Sequence, residues 1–169
     1  MPSCCADDVA DSFSQIRSVN DDDIASAAII FYELAEKVCL LELQNQILDV
    51  IARFMKEENW LFTSQDVTVI YETTQGGCGL QKFAARSVYW YYTEHNSSDD
   101  DNKPFWTTQA VQKLMLENAG FMTDFLNAGK DAGGYEHVKD PREDLSCDFD
   151  RHAEGKCYLL RGWISHRCI

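Results

Sequence analysis

Proline is scarce in this chain, with 3 in 169 residues, and glycine reaches only 9. That scarcity excludes collagen-like and low-complexity classes and leaves long stretches free of helix breakers. No apolar run approaches the roughly 20 residues of a membrane helix. The opening residues, Met1-Pro2-Ser3-Cys4-Cys5-Ala6-Asp7-Asp8, lack the basic and apolar regions of a secretory signal. These absences predict an intracellular protein, in cytoplasm or nucleus, with no membrane partner. Positive charge is also short, since 15 Lys and Arg face 28 Asp and Glu for a net charge of −13. Binding to nucleic acid rests largely on phosphate neutralisation, so this balance predicts no nucleic-acid partner. Catalytic frames are missing too: the sequence has no phosphate loop, no serine elbow and no carboxylate pair in a glycine frame. No catalytic residue is therefore assigned, and the expected class is non-enzymatic.

What is present is helical periodicity. Asp21-Asp22-Asp23 offers carboxylates to a helix start. Ile24, Ala27, Ala28, Phe31, Leu34, Ala35 and Val38 then recur every three or four residues. A second stripe runs through Leu43, Ile47, Val50, Ile51 and Phe54, with a break at Asn59-Trp60. Ser64 suits the N-cap of a third helix bearing Val67, Ile70 and Tyr71, which a loop at Gly76-Gly77 ends. Leu80, Phe83, Ala84, Val88, Tyr91 and Tyr92 form a fourth stripe. Thr107 or Thr108 caps a fifth, with Val111, Leu114, Met115, Met122, Phe125 and Leu126 inward and Gly129 as its stop.

The pattern predicts an all-α fold, a bundle of about five amphipathic helices with a mostly irregular, Cys/His-rich C-terminal tail. The expected divisions are an acidic N-terminal segment at 1–22, the bundle at 23–130 and the tail at 131–169. Phe31, Leu34, Leu43, Ile47, Val50, Ile70, Phe83 and Leu114 are expected in the core. Residues 96–103 (NSSDDDNK) are polar, acidic and aperiodic, and predict an exposed loop.

Three groups carry candidate chemistry. In the tail, Cys147, His152, Cys157 and Cys168, with His166 and Asp150 nearby, offer zinc-type ligands at loop spacing. A structural zinc is thus the candidate cofactor, although the spacing matches no finger template and the same thiols read as reduced side chains. Cys78, between Gly77 and Gly79 ahead of a helix start, is the candidate nucleophile of an alternative reading as a small cysteine- or metal-dependent enzyme. His95 or His137 would then be its base. Tyr89-Trp90-Tyr91-Tyr92 covers every side of a helix turn, so part of it either packs in the core or faces outward. Tyr89, Trp90 and Tyr92 are the candidate anchors for an unidentified protein partner, since Tyr and Trp dominate binding hot spots.

The run Phe31-Tyr32-Glu33-Leu34-Ala35-Glu36-Lys37-Val38-Cys39 followed by Leu43-Gln44-Asn45-Gln46 resembles the helices that follow the BTB core in fungal BTB/POZ-type proteins. Ser64-Gln65-Asp66-Val67 with Ile70-Tyr71-Glu72-Thr73-Thr74 is similar to a later helix of that family. Cys147-Asp148-Phe149-Asp150-Arg151-His152 is similar to a motif near its end. The likeness spans roughly residues 24 to 157 and implies a binding role as adaptor or regulatory subunit. The 23 residues before Ile24 leave no room for a BTB core. The resemblance therefore implies a stand-alone C-terminal helical region or a shortened relative, without the dimerisation and cullin-docking surfaces of that core. Asp150 stands where the family tends to place a histidine.

Overall fold

A computed structural model describes residues 21–95, 105–132, 139–143 and 149. Among these the chain is all-α, with no strand and with six helices rather than five. They are α1 (Asp21–Lys37), α2 (Leu41–Glu57), α3 (Ser64–Thr73), α4 (Gly79–His95), α5 (Thr108–Glu117) and α6 (Ala119–Asp131). The additional helix comes from Asn118, which ends α5 and caps α6 by accepting from the Phe121 N–H at 3.0 Å. Gly129 does not stop the helix, because α6 runs past it to Asp131. Its bare Cα instead makes room for the Tyr89 ring, which lies 3.2 Å from where a Cβ would stand. Thr107 caps α5, as expected, while α3 takes its cap from Thr63 instead of Ser64. Thr63 Oγ1 accepts from the Asp66 N–H, and the Asp66 carboxylate accepts from the Thr63 N–H, which is a capping box.

Two helices end on residues in the left-handed region. Cys39 has φ +56° and Asn59 has φ +48°. In each case the next residue reaches back five positions: Leu40 N–H to the Ala35 carbonyl at 2.9 Å, and Trp60 N–H to the Met55 carbonyl at 2.9 Å. These are Schellman closures. The second carries its usual apolar clasp, with the Phe54 and Trp60 rings 6.2 Å apart.

Helix α4 is the axis of the core. It packs along α6 and against α3 and α2, while α1 lies on α2 and touches α3. Gly79, Leu80, Gln81, Phe83, Ala84, Ala85, Ser87 and Val88 are all buried, so more than one face of α4 is covered. Around it lie Met55, Phe62, Val67, Ile70 and Phe121, each almost wholly out of water. Edge-on ring contacts run from Trp60 to Phe62 at 5.2 Å, then to Phe83 at 6.1 Å and to Phe149 at 5.3 Å. Phe149 joins the core as well, its backbone carbonyl directly over Gly79.

Of the eight residues expected inside, Ile70, Phe83 and Leu114 are buried and Ile47 is partly buried. Phe31, Leu34, Leu43 and Val50 are not; they expose 62%, 54%, 41% and 54% of their surface. On α6, Met122 and Leu126 also face outward, and Phe121, Phe125 and Ala128 point inward. The reason on α1 is polar. Leu80, at the unsatisfied start of α4, donates its N–H to the Tyr32 hydroxyl at 3.4 Å. Gln75 donates its N–H to Glu36 at 2.7 Å. These bonds roll Tyr32 and Glu36 toward α3 and α4, with Ile29 and Ala35 beside them. On α2 the buried face is Gln44, Asn45, Leu48, Ile51, Ala52 and Met55.

Candidate functional site

Helices α1 and α2 each carry two apolar faces, and the core uses one of them. The outward face of α1 holds Ala27, Phe31 and Leu34 and continues to Val38 just past its end, at spacings of four, three and four. That of α2 holds Leu43, Ile47, Val50 and Phe54 at the same spacings. This is the rhythm of a coiled-coil seam. Ile30, Leu40 and Leu41 add to the exposed apolar surface, and Ile47 and Phe54 are partly covered.

Helical geometry places the two seams on one groove. Gln44 Nε2 donates to the Ala35 carbonyl at 3.4 Å, which marks where α1 and α2 meet. Phe31 and Val38 are the i−4 and i+3 neighbours of Ala35, and Leu40 and Ile47 are those of Gln44. Each seam therefore borders the line of contact on its outer side. Among the described residues, eight of the twelve large hydrophobic residues left exposed lie between Ile30 and Val50. Charges stand off the seams: Glu33 pairs with Lys37 one turn on, away from Phe31 and Val38.

The aromatic turn of α4 is placed differently. Tyr89, Trp90, Tyr91 and Tyr92 are all half-buried. Tyr89 meets Phe125 edge-on at 5.1 Å, and Tyr92 meets the same ring at 6.2 Å while its hydroxyl lies 3.3 Å from Thr108 Oγ1. Tyr91 stacks on His95 at 4.1 Å. Trp90 lies under the guanidinium of Arg142, 4.6 Å from ring centroid to Cζ. Arg142 is itself buried; it binds the Asp140 carboxylate through Nε and Nη2 at 2.8–3.0 Å and donates to the Met55 carbonyl at 3.4 Å. Each candidate anchor thus has an intramolecular neighbour.

Cys78 belongs to the hydrophobic core, just before the start of α4. It is fully buried, and its thiol is 3.4 Å from Thr74 Oγ1. Gln81 braces the same turn, donating to Thr74 Oγ1 at 3.1 Å and accepting from Gly77 N–H at 2.9 Å. Gly77 supplies the positive φ of +75° that this turn needs. Burial pushes the nearby Tyr32 hydroxyl well above the usual tyrosine range, and Cys78 adds to the shift. His95, the expected base, lies at the far end of α4. Its Cα is some 24 Å along the helix from Gly79 by the rise of 1.5 Å per residue, so the pair is not brought together. His137 lies outside the described residues.

Tyr71 makes a part-buried polar contact, its hydroxyl 2.9 Å from the Asp124 carboxylate and 3.0 Å from the Gln81 carbonyl. Burial, then the Asp124 charge, raises its pKa far above the ordinary value.

Cys147, His152, Cys157, Cys168, His166 and Asp150 lie outside the described residues, as does the acidic loop at 96–103. Among the described residues there is no group of three or more metal-ligating side chains, and no helix is long and apolar enough to cross a membrane. The groove of α1 and α2 was missed as a site because its residue types are those of a core. The signal that could have found it is the presence of a second, polar-containing face on the same helices. Comparison with family models, with curated proteins and with solved structures gives no match to this chain.

Proposed function

We propose that this chain is a non-catalytic protein-interaction module, acting as an adaptor or regulatory subunit, and that α1 and α2 form its docking surface. One observation carries the reading: two seam-spaced apolar faces lie side by side and open to water. Contiguous apolar patches of this size are uncommon on monomeric proteins and mark interaction sites. The resemblance of the Phe31–Cys39 and Ser64–Thr74 segments to the helical region of fungal BTB/POZ-type proteins supports a binding role of the same kind. The burial of Cys78 and its distance from His95 along α4 favour binding over cysteine chemistry.

The test is affinity capture from the native cell, with wild type and with a Phe31→Lys/Val50→Lys variant of unchanged melting temperature. The variant is expected to lose the bound proteins. Equal recovery by a folded variant would place the interface elsewhere, with Trp90 and Tyr92 the next surface to alter.

A further inference from the structure

We infer that the occupant of the α1–α2 groove is a second copy of the same chain, joined face to face so that two helical hairpins make a four-helix bundle. The inference rests on the reading of this groove as a docking surface and names its partner. Two observations carry it.

The first is spacing. A seam at four-three-four spacing on a helix is satisfied by another such seam, through knobs entering holes. Here two of them border one groove. A hairpin that presents two seams is half of a four-helix bundle, whose core is built from these positions. The same patch on both chains, related by a twofold axis, is the commonest way a soluble protein closes such a surface.

The second is area. Seven large side chains on this side (Ile30, Phe31, Leu34, Val38, Leu40, Leu43 and Val50) each leave about half their surface in water. At roughly 100 Å² apiece they offer on the order of 700 Å², close to the share each partner contributes to a standard interface. One added helix would lie in the groove itself and leave the outer flanks of both seams, such as Ile30, wet.

Sedimentation velocity on the full chain over a range of concentrations tests this. The expected result is a reversible shift from 19.3 kDa to twice that mass. Leu34→Lys/Val50→Lys, still helical and cooperatively melting, should weaken association on the order of a hundredfold. A folded double variant that dimerises as wild type does would overturn the assignment of this face. Wild type that stays monomeric at every concentration would overturn the second copy as occupant; if that monomer still captured proteins through Phe31 and Val50, the docking surface itself would stand. Should the double variant unfold, amide exchange on wild type decides the matter. Protection that rises with concentration across residues 27–54 supports the dimer, and protection that does not change with concentration refutes it.

Discussion

The Arg142 guanidinium covers the Trp90 ring at 4.6 Å, and it is held there by two donors to Asp140 and one to the Met55 carbonyl. The contact ties a residue beyond the last helix to the outer side of α4. It also covers one face of the dense aromatic turn, whose four residues are half-buried. Arg142→Lys keeps the charge but loses the planar fork and the stacking surface. We expect a loss of about 1–2 kcal/mol, measured as a lower urea midpoint with unchanged slope. An unchanged midpoint would mean that the contact contributes nothing.

Cys39 closes α1 at φ +56°, a conformation that costs a residue with a Cβ roughly 1–2 kcal/mol. Its side chain is exposed. Cys39→Gly therefore removes strain without removing packing, although glycine gains freedom in the unfolded chain. The expected net effect is a stabilisation of up to about 1 kcal/mol, read from urea unfolding. Destabilisation would indicate that the thiol has a role in the hairpin turn.

Gly79 has the opposite constraint. A Cβ there would stand 2.1 Å from the Phe149 carbonyl oxygen. Gly79→Ala should displace residue 149 from Phe83 and Arg86, even though alanine is the better helix former. A loss of about 1–3 kcal/mol is expected, as for overpacked cores. In a Phe149→Ala background the same substitution should cost less, because part of the contact is already gone. Full additivity of the two in denaturant unfolding would contradict the placement of Phe149.

Much of the bundle was legible because helix periodicity is local. The stripes at 67–71 and 80–88, the break at Asn59-Trp60 and the cap at Thr107 all follow from residue order alone. The rotation of α1 and α2 was not legible. On these helices the cleaner apolar pattern, Phe31–Leu34–Val38 and Leu43–Ile47–Val50, is the outer one. The inner faces include Tyr32, Glu36, Gln44 and Asn45, which read as surface until their partners on distant segments are known. The hydrogen bonds from Leu80 to Tyr32 and from Gln75 to Glu36 span more than thirty residues, and no local pattern announces them. Likewise Asn118 looks like an ordinary mid-helix residue until it is seen to cap the next helix. Arg142 carried no periodic signal, so its cover over Trp90 could not be foreseen.

Tyr32 and Tyr71 predict an alkaline limit to stability. Both hydroxyls have pKa values raised above the unfolded value of about 10, chiefly by burial. Above that pH the unfolded chain gives up protons that the folded chain retains, so stability is full below about pH 10 and falls as pH rises beyond it. Urea midpoints measured from pH 8 to 11 should show this fall. Tyr71→Phe should be less stable at pH 8, through loss of the Asp124 contact, yet decline less steeply above pH 10. Parallel curves for the two proteins would rule out Tyr71 as a source of the alkaline loss.

The claim that α1 and α2 present a docking surface is tested most directly by carbene footprinting of the whole chain, dilute and purified against its native cell extract. Leu116, which is 88% exposed on α5 and outside the groove, serves as the internal reference. Labelling of Phe31, Leu34 and Val50 relative to Leu116 is expected to drop several-fold in the extract, whichever protein covers the groove. Equal relative labelling of these residues in both samples would contradict the account.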